Sequence, residues 1–180
     1  MVKEIIKYPN APEVRYTEDI RAFNEELFAL IEDMKDTMNE NNLEGLSAFQ
    51  IGSIYSVVVV KDENGEFLEL INPRIIRHDG TQENIESSAY YDGIEAKVKR
   101  FDMVSVVYQD REGKQHSMEV RGKLSALIQR KVDFNYGATL ILKLSKEERE
   151  RFENELEKKF GTKESSFKLD SLMPGIFKRK

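Results

Sequence analysis

Gly122-Lys123-Leu124-Ser125-Ala126-Leu127-Ile128-Gln129-Arg130-Lys131-Val132-Asp133-Phe134-Asn135-Tyr136-Gly137 is the stretch on which the fold turns. Leu124, Leu127, Ile128 and Val132 fall at helical spacing, no proline interrupts them, and Gly137 suits the position just past a helix end. The spacing predicts a helix over 122–136. Strand material precedes it. Ile54 to Val60 is β-branched, and Asp62-Glu63-Asn64-Gly65 is a hairpin turn leading to a return strand, Phe67 to Ile71, stopped by Asn72-Pro73. Glu95 to Phe101 and Met103 to Tyr108 read as further strands, and the turn Arg111-Glu112-Gly113-Lys114 leads to Ser117 through Val120. Strands first, then a central helix, then a strand and a helix give an α+β class with antiparallel sheets, not alternating βαβ units.

Working outward, Ile5 to Pro9, with Asn10 and Pro12, reads as an extended lead-in and turn. A long helix is expected from an N-cap at Thr17 to Asn41-Asn42, with Ile20, Phe23, Leu27, Leu30, Ile31, Met34 and Met38 on its buried stripe. Past the central helix, Thr139 to Leu144 is expected as a short strand. Ser145-Lys146-Glu147-Glu148 forms a capping box that opens a last helix with Phe152, Leu156 and Phe160 inward and Gly161 as its stop. Residues 1–161 are thus expected as one domain and 162–180 as a loosely docked C-terminal tail.

The 180 residues carry 28 Lys+Arg against 33 Asp+Glu, a net charge of −5, with 39% hydrophobic residues. This balance speaks against a DNA-binding protein, and no apolar run is long enough to span a membrane. The start, Met1-Val2-Lys3-Glu4, shows no signal-peptide apolar region, so a cytoplasmic location is the expectation. Cys 0 and His 2 exclude disulfides, thiolate chemistry and most zinc sites. His78 and His116 sit at turns, where surface positions are expected.

Three segments are unusual for their places: Glu44-Gly45-Leu46-Ser47-Ala48-Phe49-Gln50-Ile51-Gly52, Glu86-Ser87-Ser88-Ala89-Tyr90-Tyr91-Asp92-Gly93, and Gln129 through Gly137. Taken singly, they read as a tight helix-to-strand crossing, a polar surface loop and an ordinary half-buried helix on which Arg130 and Phe134 share a face. Taken together and in order, they resemble the peptide deformylase family. That family is marked by Gly-x-Gly-Leu-Ala-Ala-x-Gln, Glu-Gly-Cys-Leu-Ser and His-Glu-x-x-His segments. The resemblance runs from about Ile5 to Leu144. It also takes in Ile71-Asn72-Pro73, Val98-Lys99-Arg100 and Asp110 through Lys114.

The resemblance implies a metal, iron or another divalent ion, held by the Cys and both His, with the Glu as general acid/base. In this sequence the Cys position is Ser88, the His positions are Arg130 and Phe134, and the Glu position is Lys131. Leu43 and Ser47 replace a motif Gly and Ala. Other positions persist: Gly45 for close backbone approach, Gln50 and the Ala89 N–H as oxyanion donors, and Arg100 near the substrate peptide. No metal or other cofactor is therefore expected. The expected function is that of a pseudoenzyme, its vestigial pocket taking a peptide N-terminus or a small anion where Arg130, Lys131 and Arg100 converge, with Glu86 and Asp133 as neutralising partners. Two alternatives stand beside it: a metal-free hydrolase with Ser88 as nucleophile and Lys131 as base, and a module contacting the ribosome or nascent chains through Lys178-Arg179-Lys180.

Overall fold

The computed structural model describes residues 1–10 and 16–161. Helix α1 spans Glu25–Glu40. Its N-cap is Asn24, whose side chain accepts from the Leu27 N–H, and Glu25 and Glu26 occupy the favourable first turn. The start expected at Thr17 is too early. Tertiary bonds hold the preceding chain out of the helix: Thr17 donates from N and Oγ1 to Asn135 O, and Glu18 bridges to Tyr55. The Ile20 N–H and C=O both engage the Asn72 side-chain amide.

Seven strands follow among the described residues: β1 Gly45–Ser47, β2 Val57–Lys61, β3 Phe67–Asp79, β4 Gln82–Ser87, β5 Glu95–Arg100, β6 Met103–Gln109 and β7 Gln115–Arg121. They form a five-stranded antiparallel sheet in the order β1-β2-β3-β6-β7 and a separate β4-β5 ribbon. Strand β3 does not stop at Asn72-Pro73. It passes through them in a bulge, with Asn72 at φ +51° and the register to β6 shifting between Ile71 and Arg74. A bulge is where a strand tolerates a proline that cannot donate to the ladder.

Helix α2, Gly122–Asn135, matches the expected central helix, and Gly137 beyond its C-cap takes φ +70°. Helix α3 spans Lys146–Phe160 and ends at Gly161. The four valines Val57 to Val60 explain the layering. Val57 and Val59 pack on one face of the sheet with Leu27, Ile31, Met34 and Met38 of α1. Val58 and Val60 pack on the other face with Leu127, Ile128 and Val132 of α2. Side chains alternate across a strand, so a strand apolar throughout is one covered on both faces. Beyond this sheet, Phe134 joins Tyr90, Tyr91, Phe152 and Leu156 in a third cluster. Helix α2 therefore belongs to two cores.

Three local expectations need correction. Thr139 to Leu144 is not a strand. Leu140–Lys143 forms a single 3-10 turn that buries Leu140 and Ile141 in the aromatic cluster, a distinction that a short apolar run does not carry in sequence. Only half of the capping box forms, since Ser145 accepts from the Glu148 N–H while the Glu148 carboxylate accepts from the Lys97 N–H. Phe160 is only partly covered, 37% exposed with its ring edge-on to Tyr8, unlike the buried Phe152 and Leu156. The expected turn at Pro12 and the tail 162–180 lie outside the described residues. No helix among those described is long and apolar enough to cross a membrane.

Ile128 is fully buried between helix and sheet, whereas Ile76 is 64% exposed. Ile128→Ala is expected to cost about 2–5 kcal/mol in urea unfolding, and Ile76→Ala less than about 0.5 kcal/mol.

Candidate functional site

The inward polar face of α2 meets the β1 segment at Lys131. Glycine at position 45 makes this approach possible, because a Cβ there would lie 3.2 Å from Lys131 Cε and 3.1 Å from both Leu127 Cδ1 and Val60 Cγ1. The Lys131 side chain is buried, and its Nζ donates to Gln50 Oε1 at 3.1 Å. Gln50 sits in the 3-10 turn Ala48–Ile51 that follows β1, in a capping box in which its Oε1 also accepts from the Ser47 N–H. Its Nε2, equally buried, has no hydrogen-bond partner.

One turn beyond Lys131, Asn135 ties the end of α2 to the sheet. Ser47 Oγ donates to Asn135 Oδ1, and Asn135 Nδ2 donates to Ser56 Oγ. Sequence reasoning missed this residue, although its i+4 spacing from Lys131 placed it on the same helix face.

Arg100 lies at the end of β5, buried, and all three guanidinium nitrogens are engaged. Nε and Nη2 donate to the two Glu86 oxygens at 2.8 Å each, and Nη1 donates to Asp133 Oδ2 at 2.6 Å. Asp133 in turn receives Lys143 Nζ at 3.0 Å. Glu86 belongs to strand β4, opposite Ala96, not to a polar loop as expected. Burial by itself would lower the Arg100 pKa, but the Glu86 and Asp133 carboxylates outweigh it and hold it above the ordinary value. The expected neutralising partners are present, but they serve Arg100. That arginine, expected beside a substrate peptide, is already committed.

Arg130 is half-buried and donates from Nη1 to the Ser87 carbonyl, while its Nε is buried with no partner. Burial lowers its pKa, and the Arg100 charge adds to that effect against the opposing pull of Glu86 and Glu44. At Lys131, burial first and Arg130 second push the amine from its ordinary 10.5 down to about 7, with Glu86 opposing. Lys131 therefore sheds its proton near neutrality.

Ser88 caps the 3-10 turn Ala89–Tyr91, its Oγ accepting from the Tyr90 N–H. Phe134 is buried with its ring 6.4 Å from Phe49 and 5.6 Å from Lys131 Nζ. The expected Ser88–Lys131 pair is not formed, since the Lys131 amine turns to Gln50. The histidines stand elsewhere: His78 stacks on Phe101 at the exposed end of β3, and the half-buried His116 pairs with Asp110.

The Polypeptide deformylase family model matches residues 2–150. The chain belongs to the peptide deformylase family. A peptide deformylase of Wolinella succinogenes is 35% identical over 162 residues, spanning 86% of this chain and 95% of that protein. One from Campylobacter jejuni is 36% identical over 169 residues, spanning 88% and 95%. The crystal structure of a peptide deformylase from Legionella pneumophila superposes with a TM-score of 0.80 at 28% identity, covering 97% of this chain and all of that one. The family is one of hydrolases, and the fold is the deformylase fold.

These relatives overturn the expectation of a pseudoenzyme. Proteins more than a third identical along nearly the whole chain carry the name of the active enzyme, which supports a working deformylase. The residues at the positions where the resemblance puts the metal are a separate matter. A guanidinium and a phenyl ring offer no lone pair to a cation, and the Ser88 hydroxyl is a neutral, weak ligand. Among the described residues no group of three or more His, Cys, Asp or Glu side chains comes together to hold a metal ion. This donor set does not fit a divalent ion.

Two substitutions test these electrostatics. Below pH 7 the folded and unfolded chains both protonate Lys131, and the folded state bears the cost of a buried cation. Between about pH 7 and the ordinary lysine value only the unfolded chain holds the proton, so stability rises with pH across that window. Lys131→Met is expected to abolish this rise and to stabilise the protein at pH 6 by roughly 3 kcal/mol in denaturant titrations, the desolvation cost less the lost bond to Gln50. Glu86→Gln, which strips Arg100 of its bidentate partner, is expected to destabilise by about 3 kcal/mol.

Proposed function

We propose that this chain removes the formyl group from peptide N-termini, the reaction that its relatives' name denotes, and that it does so with Lys131 as proton acceptor in place of a metal-bound water and its glutamate. The contact between Lys131 and Gln50 carries this reading. It sets an amine that loses its proton around pH 7 beside an amide whose Nε2 is buried and free to donate. General bases work best when their pKa lies near the operating pH.

The steps follow from those two groups. A water attacks the formyl carbon and passes a proton to Lys131 Nζ, and negative charge develops on the formyl oxygen. Gln50 Nε2 and the Ala89 N–H donate to that oxygen. Both are held before the reaction begins, Gln50 by Ser47 and Ala89 by the turn that Ser88 caps, so little reorganisation is needed. The Lys131 ammonium then returns its proton to the departing amine, leaving formate and a free N-terminus. Arg130 favours the base form of Lys131 by like-charge repulsion.

A formyl-methionyl peptide assay in the presence of a strong chelator tests this reading. Turnover is expected to survive the chelator and to rise through about pH 7 to a plateau as Lys131 deprotonates. Lys131→Met is expected to lower kcat by at least about 100-fold. Absence of turnover at every pH, or turnover only when iron, nickel or zinc is supplied, would overturn it.

A further inference from the structure

We propose that Lys131 is a carbamylation site, its amine taking up carbon dioxide to form a carbamate held by Gln50 and Arg130. Three features of the amine's surroundings favour such an adduct. The amine is enclosed, with the Phe134 ring on one side and the Gly45 backbone against its stem, and among the described residues no carboxylate forms an ion pair with it. Two buried donors lack an acceptor: Gln50 Nε2, on the amide that the amine contacts, and Nε of Arg130, the next residue on α2, whose charge reaches Lys131. Buried donors without partners are rare because each costs free energy, so two on neighbouring residues of this site point to acceptor oxygens there.

Charge points the same way. Glu86 and Asp133 are taken up by Arg100, with Lys143 on Asp133, which leaves the Arg130 cation without a carboxylate ion pair among the described residues. A carbamate brings one negative charge and two oxygens to that spot. Glu86, whose charge also reaches Lys131, opposes the adduct but remains tied to Arg100. The Lys131 Nζ lone pair attacks the carbon of carbon dioxide, an N–C bond forms, one C=O π pair moves onto oxygen, and a proton leaves nitrogen for water. No oxidant or reductant is involved. About half of the Lys131 amines are unprotonated near pH 7, so they offer that lone pair where an ordinary lysine rarely does.

The inference rests on the site's geometry and not on the deformylase reading: carbamate and free-amine base are alternative states of Lys131, and the test reads modification, not turnover. The full-length protein is incubated with ¹³C-bicarbonate at pH 8, followed by ¹³C NMR and by alkylative trapping of carbamates with peptide mapping. A carbamate resonance and a trapped label at Lys131 are expected, with exposed lysines such as Lys123 and Lys158 unlabelled. Gln50→Leu is expected to reduce occupancy several-fold, and Lys131→Arg to remove the resonance. Should Lys131→Arg not fold, the map of the unaltered chain still decides the matter. An unlabelled Lys131 at saturating bicarbonate, or labelling spread equally over exposed lysines, would overturn the proposal.

Discussion

A lysine carried into the interior without a carboxylate on its ammonium is the constraint around which this structure is arranged. Lys131 is 6% exposed, and its hydrogen-bond partner is an amide oxygen. Keeping a full charge there would cost several kcal/mol, so the chain settles the matter by releasing a proton near neutrality. Much of the neighbourhood serves that outcome. Gly45 leaves room for the methylene stem, and Ser47 fixes Gln50 so that its oxygen meets the amine. Asn135 clamps the helix that carries the lysine.

The second ionic element acts as its counterpart. Arg100, Glu86 and Asp133 form a closed cluster in which two carboxylates balance one guanidinium and the Lys143 ammonium beyond it. The Arg100–Asp133 pair joins the β4-β5 ribbon to α2, the helix shared by the sheet core and the aromatic cluster. Because the acids are engaged there, they do not ion-pair with Arg130 or Lys131. Two neighbouring cations on α2 thus meet different fates: Arg130 reaches outward to the Ser87 carbonyl, and Lys131 loses its proton.

Much of this was legible in the chain. The central helix, its glycine stop and both hairpin turns follow from apolar spacing and turn residues, which are local properties. The start of α1 and the passage of β3 through Asn72-Pro73 were not legible, for a single reason. The Asn72 side chain bonds to Ile20 from 52 residues away, and such a partner leaves no trace in local periodicity. At the site, the ordered motifs identified the family and the positions that matter: Gln50, Ser88, Arg130, Lys131 and Phe134. Inferring loss of function from those substitutions went too far, since a missing ligand set says what a site lacks and not what its replacements do. Which acid would partner which cation was likewise hidden, because Glu86 reads as loop in sequence and proves to be strand.

The most direct measurement of the central claim is the titration of Lys131 itself, by NMR of selectively labelled lysine side chains in carbon-dioxide-free buffer, assigned with Lys131→Met. A single lysine titrating with a midpoint near 7, absent from the variant, is the result expected. A Lys131 resonance that stays in the ammonium form beyond pH 10 would contradict the account, because the buried amine would then be neither a base nor a nucleophile at neutral pH.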